Sequence, residues 1–172
     1  NFNNEIFDYI WCNGVLHHTK NPYEAFKSII PSLKKDGYIV LGLYNKIGRF
    51  RTKIRKYIYK FFGKKMVIKF DPVLRSIPEE SQDKINAWIK DQYTHPVEYT
   101  HTFDEILGWF KNNNIEFINS IPFCSMTESY KNTIFEKSSS GTFFERILQQ
   151  FFMIFSKHGS EGAIFIFIGK KK

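Results

Sequence analysis

Two short apolar runs flanking a helix-like stretch constrain the fold of this chain more than any other feature. Residues 7–12, FDYIWC, are nearly continuously apolar, the pattern of a strand covered on both faces. After a polar turn, Pro22 precedes Ala25, Phe26, Ile29, Ile30 and Leu33 at helical spacing, and residues 38–44, YIVLGLY, form a second apolar run. Pro31 should kink or break the helix near its end, and Gly37 can stop it. Strand, helix and strand with short connections make a βαβ unit, which requires a parallel sheet. The predicted class is therefore α/β.

The character changes after Asn45. Residues 46–65 hold nine basic residues and no acidic one, with Phe50, Ile54, Tyr57, Ile58 and Phe61 on one stripe, so a basic amphipathic helix is predicted. Residues 71–96 are polar, with a short helix expected over 83–90. Thr102, with Glu105 three residues on, predicts an N-cap and a helix that ends at Asn112–Asn114. Residues 115–121 alternate as a strand, 136–142 (EKSSSGT) read as a flexible loop, and 163–169 (AIFIFIG) form a last strand. Between them, residues 143–158 carry Phe144, Ile147, Leu148, Phe151, Phe152 and Phe155 on a broad helical stripe, expected in the core or at an oligomer contact before a membrane. No internal repeat is present.

At 172 residues the chain can bury one core, and its net charge of +8 favours anionic partners. Only Cys12 and Cys124 occur, outside any disulfide-like or zinc-like spacing, so no metal is expected and a reducing, cytoplasmic setting is the default. No apolar run approaches the roughly 20 residues that span a bilayer, and no leader pattern opens the chain. The first residue is Asn and the strand pattern begins at once, as expected of a chain cut from something longer.

In an open parallel sheet, ligands bind beyond the carboxyl ends of the strands. Asn13, Gly14, Val15, Leu16, His17 and His18 fall there. Gly14 permits close backbone approach, Asn13 offers donor and acceptor groups, and the imidazoles can bind or exchange a proton. Read without further context, these are an ordinary turn followed by one histidine under the helix and one facing solvent.

The stretch FDYIWCNGVLHHTKNPYEAFKSIIPSLKKDGYIVLGLYN resembles the second half of a class I S-adenosylmethionine-dependent methyltransferase. There an FD-x-I strand ends in a V-L-H-H loop, a helix follows, and an L-K-x-G-G turn enters the next strand; this chain has Asp36 where the family usually has the first Gly. No G-x-G-x-G loop is present, nor the acidic strand end that holds the cofactor ribose. The resemblance thus implies a partial Rossmann-like sheet, its fourth to seventh strands, built from residues 1–45 and 102–172. Residues 46–101 would form a basic, helical, lid-like insertion.

The resemblance further implies S-adenosyl-L-methionine as cofactor, with Asn13, Gly14, Val15 and Leu16 at its methionine end. His17, His18, Tyr93 and His95 become candidates for catalysis, and Tyr44, Asn45 and Arg49 for substrate binding. LYNKIGR resembles the YN-x-x-G-R that leads into a lid in a subset of the family, and DQYTHP resembles its D-x-Y-x-H-P segment. The expected reaction is methyl transfer to a small-molecule or lipid-like acceptor by a parent enzyme, the isolated fragment being inactive and aggregation-prone. A second expectation is a non-catalytic module whose 46–65 helix binds an anionic membrane surface or RNA, with nucleic acid disfavoured because no RNP-like platform occurs.

Overall fold

The computed structural model describes residues 5–129, 131–156 and 162–172. Its centre is a four-stranded sheet in the order β1-β2-β4-β3. β1 (Phe7–Asn13) pairs in parallel with β2 (Leu33–Tyr44), as the βαβ pattern requires. β4 (Ile164–Lys171) lies antiparallel between β2 and β3 (Ile115–Ile121).

The crossover is α1 (Pro22–Ile29), started by Asn21, whose side chain accepts a hydrogen bond from the Glu24 amide at 3.2 Å, and by Pro22 in the first turn. Pro31 ends it in a 3-10 turn rather than a kink. β2 starts five residues before the predicted strand because the pairing with β1 jumps from Phe7↔Leu33 to Tyr9↔Tyr38. The extra residues bulge out through Asp36, at φ 63°. This left-handed position is where glycine costs nothing, which accounts physically for the Gly-Gly pattern of the resembling family.

One face of the sheet carries the main core. Ile39, Leu41 and Leu43 of β2 and Phe165 and Phe167 of β4 pack there with Phe26 of α1 and with Phe103, Ile106 and Phe110 of α5 (Phe103–Asn112). Phe103, Phe165 and Phe167 meet pairwise at ring-centroid separations of 5.0, 5.2 and 5.3 Å. Such pairs add about 0.5–1.5 kcal/mol each beyond buried area. α5 begins as predicted, with the Thr102 hydroxyl accepting from the Glu105 amide at 3.2 Å.

β1 departs from expectation. It is an edge strand, and Phe7, Tyr9 and Trp11 are exposed rather than covered on both faces. Among the described residues, the opposite sheet face has a small cluster of Val40, Ile118 and Ile168, over which Phe135 reaches to Tyr38 and Tyr9.

Residues 46–101 contribute three helices, α2 (Phe50–Phe70), α3 (Pro72–Ser76) and α4 (Gln82–Tyr93). α2 runs past the predicted end but breaks at Gly63, whose φ of 76° and ψ of −172° are not helical. α3, unforeseen, is capped by Asp71, whose carboxylate accepts from the Val73 and Leu74 amides. Val67, Leu74, Ile85, Ile89 and Tyr93 form a core of their own. Both ends of this insertion are pinned together, because the His101 amide donates to Tyr44 at 2.8 Å and the Lys46 amide to His101 at 2.9 Å.

α6 (Phe143–Phe155) follows the loop at 136–142 with a complete capping box between Thr142 and Glu145. Of the two placements expected for its stripe, the core one does not hold: Gln150 and Met153 are buried, while Phe144, Phe151, Phe152 and Phe155 face outward, as an oligomer contact would also require. Residues 157 and 158, predicted to continue this helix, lie outside the described residues.

Candidate functional site

The loop after β1 and the end of β2 lie side by side at the carboxyl ends of the two parallel strands. Asn13 pairs with Gly42, and the Gly14 amide donates to the Gly42 carbonyl at 3.0 Å. The Asn13 side chain lies across Gly42 so closely that a Cβ there would fall 1.8 Å from Asn13 Oδ1. Gly14, at φ 75°, has nothing within 4 Å of the place a Cβ would take. Asn13 and Val15 are exposed. An amide, an unobstructed backbone and an apolar side chain thus form an exposed wall at the carboxyl end of β1. Leu16 does not join it, because its side chain is buried in the main core.

Behind this wall four rings stack in sequence. Tyr44 and His17 have centroids 4.0 Å apart, His17 and His18 are 4.3 Å apart, and His18 and His95 are 3.9 Å apart. Of the five residues expected to face the acceptor, Tyr44, His17, His18 and His95 thus lie together and Tyr93 does not. His17 is fully buried and neither ring nitrogen has a partner. Burial, reinforced by the neighbouring His18 and Arg49, drives its pKa down to about 3. It is a neutral ring at ordinary pH, suited to packing and poorly suited to proton transfer.

His18 is only partly buried, and its Nδ1 lies 3.0 Å from the Val97 carbonyl oxygen. A carbonyl accepts only, so Nδ1 carries the hydrogen and Nε2 of the neutral ring carries the lone pair. Val97 also receives His95 Nδ1 at 2.6 Å, which fixes both rings on one carbonyl. Of the four expected catalytic residues, His18 and His95 therefore keep accessible imidazoles.

Arg49, expected to bind substrate, is instead fully buried. Its Nε donates to Glu98 Oε1 at 2.8 Å and Nη2 to Glu98 Oε2 at 2.7 Å, while Nη1 donates to Gln92 at 3.1 Å and to the Gly162 carbonyl at 2.7 Å. Lys56 Nζ also donates to Glu98 at 2.9 Å. Burial raises the Glu98 pKa, but the hydrogen bonds and charges of Arg49 and Lys56 outweigh it and hold the carboxyl below its usual range. Asn45, another expected substrate contact, is also buried; its Nδ2 donates to Gln150 at 2.9 Å and its Oδ1 accepts from the Gly48 amide at 2.7 Å. Both residues hold the insertion to the sheet.

Tyr93 sits apart from the rings, in the core of the helical insertion. Its hydroxyl donates to Asp71, which also accepts from Trp88 at 2.9 Å and pairs with Arg55 at 3.6 Å. Burial and the Asp71 carboxylate push its pKa up, and burial does the same for Tyr44, so neither phenol is a base. A cavity of about 640 Å³ opens beside them, lined by Lys53, Lys56, Lys60, Tyr57, Tyr59 and Tyr93. Glu98 also lines it, which places the cavity one ion pair away from Arg49 and the stacked rings. Sequence reading missed Glu98 and Gln92; the signal for Glu98 was an isolated carboxylate in a segment facing a helix with none. Among the described residues no cluster of acidic, histidine and cysteine side chains could hold a metal ion, and no helix is long and apolar enough to cross a membrane.

Residues 1–118 match the family described as "Methyltransferase domain". No curated protein matches the chain. Among solved structures, PKMT2 from Rickettsia typhi superposes with a TM-score of 0.61 at 11% identity, covering 98% of this chain and 36% of that one. The same protein in complex with AdoHcy gives a TM-score of 0.59 at 12% identity over the same shares. The chain thus spans about a third of the length of these relatives, and at such identity the likeness carries the fold alone. With residues 1–118 matched, the chain belongs to the methyltransferase-domain family, and its sheet and βαβ crossover have the Rossmann-like class I fold.

Proposed function

We propose that this chain supplies the acceptor side of a methyl transfer from S-adenosyl-L-methionine to a small-molecule or lipid-like acceptor. The observation that carries the reading is the ring stack Tyr44, His17, His18 and His95, which follows the exposed Asn13–Val15 wall in the chain and is joined through Arg49 to Glu98 of the basic cavity. When bound, the sulfonium supplies a methyl group already activated for displacement, so the protein's task is mainly to position the acceptor. Asn13, Gly14 and Val15 border the methionine end. His18, with Nδ1 committed to Val97, offers Nε2 to an acceptor that must lose a proton.

Lys53, Lys56 and Lys60 outnumber Glu98 in the cavity and favour an acceptor with an anionic group, while Tyr57, Tyr59 and Tyr93 suit an apolar or planar body. The test is calorimetric titration of S-adenosylhomocysteine into this chain and into the chain extended upstream. Binding to the extended form, lost on Asn13→Ala with Gly14→Val, is expected. Absence of binding in both forms would remove the cofactor from the account.

A further inference from the structure

Two helices of this protein are amphipathic inside out. α2 buries Thr52, Arg55 and Val67 and α6 buries Gln150 and Met153. Their aromatic side chains face water: Tyr57 is 63% exposed, Phe61 71%, Phe144 67% and Phe155 69%, and Phe50, Ile54 and Phe151 are exposed as well. The inversion has a cause in each helix. Gln150 Oε1 must reach Asn45 at 2.9 Å and the Phe103 amide at 3.1 Å, and Arg55 must reach Asp71. These polar anchors claim the inner faces and turn the apolar ones outward.

The outer face of α2 has a definite pattern. Phe50, Lys53, Ile54, Tyr57, Lys60 and Phe61 recur at helical spacing, so lysines and apolar groups interleave along one stripe. No acidic residue occurs between Asn45 and Asp71, and Lys46, Lys53, Lys60, Lys65 and Lys69 are all exposed. α6 joins this face at its end: Arg51 Nη1 donates to the Ile154 carbonyl at 3.4 Å, and a Cβ on Gly48 would lie 2.9 Å from Met153 Cβ. The start of α2 therefore adjoins the end of α6.

We propose that this basic, aromatic face docks on an anionic lipid bilayer. Apolar rings enter the boundary between headgroups and acyl chains, and long lysine stems let the ammonium groups rise to the phosphates. A surface of one charge sign along the part of α2 before Gly63, continued by Lys65 and Lys69 beyond the break, matches an extended anionic plane better than a protein groove, where partner carboxylates would have to repeat at every turn. Lys53, Tyr57 and Lys60 belong both to this face and to the cavity wall, so the cavity opens on the docked side. The docking itself is independent of the methyl-transfer reading.

The experiment is co-sedimentation of the full-length protein containing this chain with vesicles of phosphatidylcholine alone or with phosphatidylserine. It is run at low and high salt, on the parent, on Lys53→Gln/Lys60→Gln and on Phe61→Ser, with melting curves and ultracentrifugation of each. Binding confined to the phosphatidylserine vesicles and weakened by salt is expected. Each lysine removed should cost about fivefold, so roughly 25-fold for the pair. Phe61→Ser should weaken binding at unchanged melting temperature. Equal binding to neutral vesicles, no effect of either variant, tighter binding to an RNA oligonucleotide, or a dimer abolished by Phe61→Ser would each overturn the proposal, the last in favour of a second copy on this face.

Discussion

The guanidinium carbon of Arg49 lies 3.6 Å from the centroid of the Tyr44 ring. The same guanidinium forks onto Glu98 and reaches Gln92 and Gly162, so one buried side chain joins the end of β2, the helical insertion and the segment entering β4. The family-like Gly48-Arg49 pair after β2 is thus a clasp beneath the site.

Removing one partner of such a buried pair strands the other without solvent. Arg49→Met should lower unfolding free energy by about 3–5 kcal/mol, and Arg49→Lys should recover only part, since an ammonium cannot reproduce the fork. Urea titration measures both. A loss below about 1 kcal/mol for Arg49→Met would show that Lys56 alone suffices to hold Glu98.

His17 predicts the acid limb of stability. In the unfolded chain a histidine takes up its proton near pH 6.5, whereas folded His17 resists until about pH 3. Its depressed folded value means that the unfolded state binds more protons between these limits, so stability falls as pH drops, by about 1.4 kcal/mol per unit for one proton. Glu98, with a lowered folded pKa, adds a loss of the same sign further down, as pH falls through its folded value. His17→Phe keeps a ring against Tyr44 and removes both unpartnered nitrogens, so it should flatten the slope between pH 6 and 4 by one proton. An unchanged slope would show that the nitrogens are satisfied by a bound molecule or that the unfolded chain does not titrate there.

His18 and His17 should separate kinetically. In the extended enzyme His18→Gln keeps a polar side chain but loses the Nε2 base, so kcat should fall about 10²-fold or more while S-adenosylhomocysteine affinity holds. A fall in affinity with kcat preserved would make His18 part of the cofactor wall instead.

Much of this was legible in the residues. The βαβ pattern, the Thr102 cap and strand 115–121 follow from local periodicity and capping chemistry, which depend little on distant contacts. The expectation that His17, His18, Tyr44, Tyr93 and His95 share a site came from the motif resemblance; four of these rings lie side by side, and Tyr93 packs in the insertion instead. What failed was orientation. An apolar stripe does not say which face turns inward when Gln150 or Arg55 has a buried partner far along the chain. Asn45 and Arg49 were read as surface contacts because their partners Gln150 and Glu98 are remote in sequence.

Asp36 offers a test of backbone strain separate from the site. At φ 63° it pairs with Lys170 at 2.8 Å, an exposed contact worth little. Asp36→Gly should leave stability within about 1 kcal/mol of the parent, because relief of the left-handed conformation offsets the lost pair. Asp36→Val should destabilise by more than 1 kcal/mol, since a β-branched residue fits that region worst. Equal melting temperatures for the two variants would mean that the bulge relaxes freely.

Gly42 provides the most direct probe of the cofactor wall. Its missing side chain leaves room for the Asn13 amide, and a methyl group there would sit 1.8 Å from Oδ1, so Gly42→Ala must push Asn13 off its position. Nothing else in the wall need move, because the Gly14 amide bonds the Gly42 carbonyl through the backbone. In the extended protein, loss of one hydrogen bond to a charged ligand group should weaken S-adenosylhomocysteine about tenfold. Asn13→Ala should weaken it by the same factor, and the double variant by no more than either alone, since both changes remove one contact. The double variant should also regain the stability that Gly42→Ala loses, because the clash needs the amide. Additive losses of affinity would place the ligand against Gly42 itself and free Asn13 from any role in holding it.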